Sequence, residues 1–184
     1  MDLLQIQDQY YDRVKKYILA SVRNESVADD LIQETFIRVQ ENLDSLRDPA
    51  KISSWIFRIA YHLCQDHFRS AKKSSSHEEI HDGLIDLQET PIQKKLEQSE
   101  MSQCVQDHLK LLPDSQRTVI ILAEVMDFSL QEIADILGLT VENVKVRLHR
   151  ARKKFKAILE EKCTFEVDER SVLVCEPAER KEGR

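Results

Sequence analysis

The sequence predicts an all-α protein of two small helical domains joined by a flexible linker, with a short C-terminal tail or hairpin. Three observations support this prediction. Only 3 of the 184 residues are glycine, whereas 41% are hydrophobic and 33% are charged, which favours helix over sheet. Hydrophobic residues recur every three or four positions in several long segments, which is the helical period. A polar, acid-rich stretch divides these segments into two groups.

Breaks in the hydrophobic pattern predict the domain boundaries. We expect a first helical domain at 1–73, a linker at 74–91, a second helical domain at 92–161 and a tail at 162–184. The linker begins with three serines, carries an excess of acidic residues and ends at Thr90-Pro91. The tail has alternating hydrophobic residues, which predict either a loose tail or a small hairpin centred near Glu169.

The first domain contains three predicted helices. The first lies within residues 1–23, the second has Ser26 as its expected N-cap, and the third runs from about Ile52 to Lys72. The residue before Pro49 is pushed out of helical conformation, so a loop precedes the third helix. The predicted core face of the third helix consists of Trp55, Ile56, Ile59, Ala60 and Leu63.

The second domain carries the spacing of a DNA-binding helix-turn-helix. Its first helix is expected to start near Ile92, and the later helices are predicted at about Ser115–Met126, Ser129–Leu137 and Thr140–Glu161. Ser129 and Thr140 are suitable N-caps. Gly138 lies where the chain must turn sharply, and glycine tolerates the left-handed backbone there. The alternative interpretation is a solvated basic helix in an ordinary helical hairpin.

The outer face of the last long helix is suited to DNA, although the net charge of −6 by itself argues weakly against a nucleic-acid partner. In a helix-turn-helix the second helix enters the major groove, where outward side chains reach base edges and flanking cations meet phosphates. Val146 on this face fits contact with a thymine methyl, and an exposed valine without a role is the alternative. The candidate DNA-contacting residues are Glu142, Asn143, Lys145, Val146, Arg147 and Arg150.

Two further faces in the first domain are candidate binding surfaces. On the third helix, Arg58, His62 and Arg69 lie along one face that could follow a DNA backbone. On the second helix, Ile37 lies amid acidic and amide side chains, an arrangement that suits a protein partner. For each face taken alone, an ordinary solvated surface is the alternative interpretation.

Three sequence runs together resemble the sigma-70 family of bacterial RNA polymerase sigma factors. ADDLIQETFIRV at 28–39 is similar to the segment by which sigma factors bind core polymerase. SSWIFRIAYHLCQDHFR at 53–69 is similar to the segment that opens and reads the −10 promoter element. LPDSQRTVIILAEVMDFSLQEIADILGLTVENVKVRLHRARKKF at 112–155 is similar to the domain that binds the −35 element. Their order and the short linker match the extracytoplasmic-function (ECF) group.

The resemblance, which covers about residues 5–160, implies a role for each candidate surface. The polymerase-binding residues would be Asp30, Gln33, Glu34 and Ile37. The −10 residues would be Arg47, Trp55, Arg58, His62, Asp66 and Arg69, and the loop from Arg47 to Ser54 would capture a flipped base. The last long helix would read the −35 element. His62 replaces the usual asparagine, and Asn143 and Val146 replace small hydroxyl residues, which affects the expected promoter sequence and not the fold.

The resemblance also implies partners and an absence of catalysis. Core RNA polymerase and promoter DNA are the expected partners, a cognate anti-sigma factor is a further candidate, and no cofactor is expected. The sequence contains no HExxH motif, Walker loop or nucleophile elbow, which argues against an enzyme. A helix-turn-helix regulator that acts without being a polymerase subunit is the alternative function.

Hydropathy and cysteine spacing predict a cytoplasmic protein. No stretch approaches the roughly 20 apolar residues of a membrane span, and the N-terminus lacks a secretory pattern. The four cysteines form no CxxC pair, so free thiols are expected. Zinc binding by Cys163 and Cys175 is an alternative that we do not favour, because a tetrahedral site needs four ligands and only these two are evident.

Overall fold

The computed structural model describes residues 3–22, 24–74, 107–167 and 173–177 and confirms the predicted all-α class. The N-terminal part consists of α1 (Leu3–Val22), α2 (Glu25–Asn42) and α3 (Ile52–Ser74). Two short 3₁₀ turns, Leu43–Ser45 and Pro49–Lys51, connect α2 to α3. None of the described helices combines the length and apolar content needed to cross a membrane.

The C-terminal part begins with one helical turn at 107–109. It continues through α4 (Asp114–Ile120), the π-helical segment Ile121–Val125, α5 (Leu130–Leu137) and α6 (Val141–Lys162). Strands β1 (Cys163–Val167) and β2 (Leu173–Pro177) then form an antiparallel hairpin. Apart from Ser74, the predicted linker lies outside the described residues, as does the helix start expected near Ile92.

The N-cap of α2 differs from the expected Ser26. Asn24 has an extended backbone, and its side-chain oxygen accepts a hydrogen bond from the amide of Val27 at 3.0 Å. Serine and asparagine are equally good caps, so the sequence alone does not distinguish the two positions. Glu25 lies in the first turn of the resulting helix, where an acidic side chain interacts favourably with the helix dipole.

The helix predicted at Ser115–Met126 changes from α-helical to π-helical halfway along its length. After Ile120 the chain widens into the π-helical segment, in which the amide of Met126 donates to the carbonyl of Ile121 at 3.0 Å. This segment contacts α1 as well as α4. Asp127 follows with a left-handed φ of 55°, and the amide of Phe128 turns back to the carbonyl of Leu122 at 3.0 Å. The result is that Phe128 is buried.

The C-terminal hairpin is confirmed, but its register differs from the predicted centre at Glu169. Cys163 lies opposite Pro177, and Cys175 lies opposite Phe165, so the centre is one residue later. The intervening residues include no Asn-Gly or Asp-Gly pair, which is the sequence signal that normally sets a hairpin register. A centre at Glu169 would place Cys163 opposite Cys175. Moving the centre by one residue moves the partner of Cys163 by two, to Pro177, so the two cysteines lie diagonally across the strands.

One hydrophobic core runs through both parts of the chain. The predicted core face of α3 is confirmed at Ile56, Ala60 and Leu63, which are buried, whereas Trp55 and Ile59 are partly buried. Phe57 was not predicted as a core residue, yet it is fully buried. It packs edge-on against Tyr17 of α1, with ring centroids 5.5 Å apart, and against Phe128.

Two buried titratable groups belong to this core. Burial raises the pKa of the Cys64 thiol to about 12. Burial, followed by the neighbouring Cys64, raises the pKa of the Tyr17 hydroxyl well above its ordinary value. Both groups are therefore neutral at physiological pH. Because the thiolate is the reactive form of cysteine, Cys64 contributes packing and not redox chemistry.

Candidate nucleic-acid interface

Helices α5 and α6 form the helix-turn-helix with the predicted caps. The Ser129 hydroxyl accepts from the amide of Glu132 at 3.3 Å, and the Glu132 carboxylate accepts from the amide of Ser129 at 2.9 Å, which completes a capping box. Gly138 ends α5 in the left-handed conformation at φ 65°. Thr140 caps α6 by accepting from the amide of Asn143 at 3.3 Å. These contacts fix the angle at which α6 leaves the turn.

The rotational phase of α6 agrees with the predicted one. Its inner stripe is buried at Val144, Leu148 and Ala151 and continues through partly buried residues toward Ile158. The opposite side is open to solvent, and Val146 is 50% exposed. The predicted contact residues are all exposed except Arg147, which is half-buried at the edge of the face: Glu142, Asn143, Lys145, Val146, Arg147 and Arg150.

Ion pairing divides the cations of α6 into two groups. Arg152 donates from two nitrogens to one carboxylate oxygen of Glu124, at 2.8 and 2.6 Å, so it ties α6 to the π-helical segment. Within the described residues, Lys145, Arg147 and Arg150 form no ion pair. Three cations near the start of α6 are therefore available to an anionic ligand, whereas Arg152 is engaged within the protein.

A pocket of about 300 Å³ lies at the start of α3. Asp48 shapes its rim by accepting a hydrogen bond from the amide of Ala50 at 3.0 Å. The structure brings together three of the predicted −10 residues here, namely Arg47, Trp55 and Arg58. The pocket is at the lower end of the range of small-ligand sites, and cations with an aromatic ring suit an unstacked base.

The remaining predicted −10 residues lie farther along α3. His62 and Arg69 are exposed, and Arg69 pairs with Asp66 at 3.2 Å. From Arg58 to Arg69 the helix rises by roughly 16 Å, so these residues line a track that leads away from the pocket. Lys51, which belongs to the loop predicted to capture a base, also lines the pocket. Sequence reasoning missed Asp135, which reaches the pocket from α5, and no local pattern links it to α3.

The outer face of α2 has the predicted mixed character. Asp30 and Gln33 are exposed, and Ile37 is 50% exposed. Glu34 is partly exposed and accepts from Arg38 at 2.8 Å. The opposite face of the helix buries Phe36 beneath Tyr11, whose ring stacks on it at 6.0 Å between centroids. An exposed isoleucine within a polar rim is the arrangement expected of a protein-binding surface.

Cys163 has a neighbour that the sequence did not suggest. Its sulfur lies 3.9 Å from Nε2 of His108, at the point where α6 joins β1. Within the described part of the chain, no group of three histidine, cysteine or acidic side chains is arranged to hold a metal ion. The zinc interpretation of Cys163 and Cys175 therefore gains no support from the described geometry.

Two known family models match the chain, one over the N-terminal helical part and one over the C-terminal helical part. Residues 6–74 match the family model of sigma-70 region 2, and residues 102–155 match that of sigma-70 region 4. The chain is 31% identical over 168 residues to RNA polymerase sigma factor SigZ of Bacillus subtilis, covering 91% of this chain and 93% of SigZ. It is 33% identical to ECF RNA polymerase sigma factor SigW of the same species, covering 82% of this chain and 85% of SigW.

Two solved structures have a fold similar to that of this chain. The sigma factor RpoE of Bartonella quintana, in complex with the anti-sigma factor NepR, shares the fold with a TM-score of 0.69 at 21% identity, over 86% of this chain and 97% of that chain. CnrH, in complex with the cytosolic domain of CnrY, has a TM-score of 0.64 at 26% identity, over 86% of this chain and 88% of that chain. The two matched regions and the relatives along most of the chain show that this protein belongs to the ECF sigma factors of the sigma-70 family.

Proposed function

We propose that the chain is the specificity subunit of RNA polymerase at a set of promoters, which it selects through −10 and −35 elements. The observation that carries this proposal is the presence of three exposed surfaces in one chain. These are the mixed face of α2, the pocket and track of α3, and the exposed face of α6. A DNA-binding regulator needs the third surface but has no use for the first two.

Each surface receives one role in this proposal. Asp30, Gln33, Glu34 and Ile37 bind core polymerase. The α3 residues and the loop before them bind the −10 element as single strand: Arg47, Trp55, Arg58, His62, Asp66 and Arg69. The face of α6 binds the −35 element as duplex. The domain assignment is 1–73 for polymerase and −10 binding and 92–161 for −35 binding, with 74–91 as linker.

The chain contributes recognition and no catalysis. The chemistry of RNA synthesis belongs to the polymerase, and the residues on these surfaces bind DNA and protein. Of the structurally similar proteins, the sigma factor RpoE was solved in complex with the anti-sigma factor NepR, and CnrH was solved in complex with the cytosolic domain of CnrY. We propose an anti-sigma factor as a partner of this chain on the same basis.

Binding to core polymerase distinguishes the proposal from the regulator alternative. The purified full-length protein should form a one-to-one complex with core polymerase that elutes as a single species in size-exclusion chromatography. A regulator would instead bind duplex DNA specifically by itself and would not co-elute with core polymerase. That pair of results would overturn the proposal.

A further inference from the structure

Val146 is an apolar side chain at the centre of the exposed face of α6. It is two residues away from both Val144 and Leu148, which are buried. At about 100° per residue, this spacing places Val146 roughly 160° from each of them around the helix axis. Val146 therefore points away from the hydrophobic core, and it is half-exposed. Packing within the protein does not account for a valine at this position.

The charges around Val146 favour a nucleic-acid ligand over a protein ligand. Ile37, the exposed apolar residue of α2, lies among acidic side chains, whereas Val146 lies close to three cations. Within the part of the chain that the structure describes, these cations form no ion pair: Lys145, Arg147 and Arg150. Cations without internal partners are suited to an anionic ligand such as DNA. An apolar side chain at the centre of such a face calls for an apolar group on that DNA.

Glu142 lies one helical turn before Val146 and is an acid on this otherwise basic face. Its side chain is exposed and makes no ion pair or hydrogen bond with another described residue. A DNA phosphate repels a carboxylate, whereas an exocyclic amino group of a base donates a hydrogen bond to it. The row of α6 that contains Glu142 and Val146 is therefore suited to base edges and not to the sugar-phosphate backbone.

Glu142 and Val146 are spaced to contact different base pairs. Residues four apart in a helix are separated by ~6 Å along the axis, and successive base pairs by ~3.4 Å. The two side chains are thus about two base-pair steps apart when α6 lies along the major groove. The apolar group that a base presents in this groove is the C5-methyl of thymine. 5-Methylcytosine carries the same methyl group at the same ring position.

We propose, on the basis of the proposed function, that Val146 reads a C5-methyl group in the −35 element. Val146 contacts the methyl group and not the C4 substituent, so thymine and 5-methylcytosine are both ligands, and uracil and unmethylated cytosine bind more weakly. Glu142 accepts a hydrogen bond from an exocyclic amino group on a nearby base pair. Methylation of cytosine at the position of Val146 therefore raises the affinity of the holoenzyme for that promoter.

Paired nucleotide substitutions test the methyl contact without changing the partner base. The probe is a promoter duplex carrying the −35 element that the holoenzyme selects from a randomised library, and each pyrimidine position is measured by competition binding. Deoxyuridine replaces thymine opposite adenine, and 5-methylcytosine replaces cytosine opposite guanine. At one position, each methylated base should bind about fourfold more tightly than its unmethylated counterpart, as expected for burial of one methyl-sized group.

Three variants assign this effect to one side chain. Val146→Ser removes the isopropyl group and should bring both affinity ratios close to one, whereas Val146→Ile keeps an apolar side chain and should retain them. Ala157→Ser is the matched control, because it places the same hydroxyl side chain at an exposed site eleven residues farther along α6. This control should leave both ratios unchanged, and circular dichroism should show the same helical content in all of these proteins.

The salt dependence separates a methyl contact from a general disturbance of α6. A contact between apolar groups releases no counterions, so Val146→Ser should leave the slope of log affinity against log salt concentration unchanged. Displacement of α6 would move its cations away from phosphates and reduce that slope. A reduced slope in Val146→Ser would therefore contradict the assignment of Val146 to a methyl group.

Glu142→Gln tests the second contact of the same row. Glutamine donates as well as accepts hydrogen bonds, so the preference for an amino group should be lost at a second position of the element. The two methyl ratios at the position of Val146 should stay as they are in the unmodified protein. An unchanged base preference at every position in Glu142→Gln would show that Glu142 does not read a base.

Equal affinity for methylated and unmethylated duplexes at every pyrimidine position would overturn the proposal. A methyl effect that persists in Val146→Ser would also overturn it, because another side chain would then read the methyl group. The proposed function is tested separately by co-elution with core polymerase. If no holoenzyme forms, selection and competition binding are repeated with the full-length protein alone, so the methyl contact is decided independently of the proposed function.

Discussion

Replacing Asp30, Gln33 and Glu34 together with alanine should lower the affinity for core polymerase by about 100-fold or more. Truncating a central residue of a protein interface commonly costs about 2 kcal/mol or more of binding free energy, and each ~1.4 kcal/mol corresponds to a factor of ten in affinity. The three side chains lie on the solvent side of α2, and alanine is the best helix former. The helical content and the unfolding midpoint should therefore stay close to those of the unmodified protein. Titration of labelled core polymerase gives the affinity directly.

A matched control comes from another exposed helix face. Gln7, Asp8 and Asp12 of α1 are also exposed and also comprise one amide and two carboxylates. Their replacement by alanine changes the net charge by the same amount, so it should leave polymerase affinity within about twofold. Equal losses in the two triple variants would show that net charge, and not the α2 surface, determines binding. Unfolding of the α2 variant would show that its residues are structural.

Within α6, the residues that read bases and those that anchor phosphates should be separable. Arg150 is exposed opposite the buried stripe, where a bidentate contact to a base is worth about 1–3 kcal/mol. Arg150→Ala should therefore relax the preference at one position of the −35 element. Lys145 is exposed at the side of the face and should meet a phosphate. Lys145→Ala should weaken binding to all promoters alike. It should also reduce the slope of log affinity against log salt concentration by about one unit.

Selection over a randomised −35 library, with each variant assembled on core polymerase, measures both effects. The unmodified protein defines the base preferences, and Arg150→Ala and Lys145→Ala are compared with it position by position. A changed base preference in Lys145→Ala together with an unchanged one in Arg150→Ala would contradict the assignment. The roles of the two side chains would then be exchanged, although the buried stripe of α6 would still fix the helix phase.

The helix-turn-helix was predictable from sequence because its determinants are local. Ser129, Gly138 and Thr140 each act on the backbone within three or four residues, and the spacing of Val144, Leu148 and Ala151 specifies the buried side of α6. The exposed faces of α2 and α3 followed from the same helical period. These surfaces therefore did not require tertiary information.

The lining of the pocket at the start of α3 could be predicted only in part, because Asp135 reaches it through packing between distant segments. Phe57 lies off the predicted core stripe of α3, and its burial depends on Phe128. Asp135 has the pattern of an ordinary exposed residue of α5, and only the folded chain brings it to Lys51. The π-helical widening after Ile120 has no recognised sequence period, so the position of Phe128 was not predictable either.

Promoter-directed initiation is the most direct test of the central claim. Core polymerase, the purified protein and fragmented genomic DNA are combined, and the 5′ ends of the transcripts are mapped. We expect start sites that are absent with core polymerase alone and that share two upstream elements at a constant spacing, because two DNA-binding surfaces are fixed on one enzyme. Failure to direct any start site across the genomic library, with a protein that is folded and monodisperse, would contradict the assignment as a sigma factor.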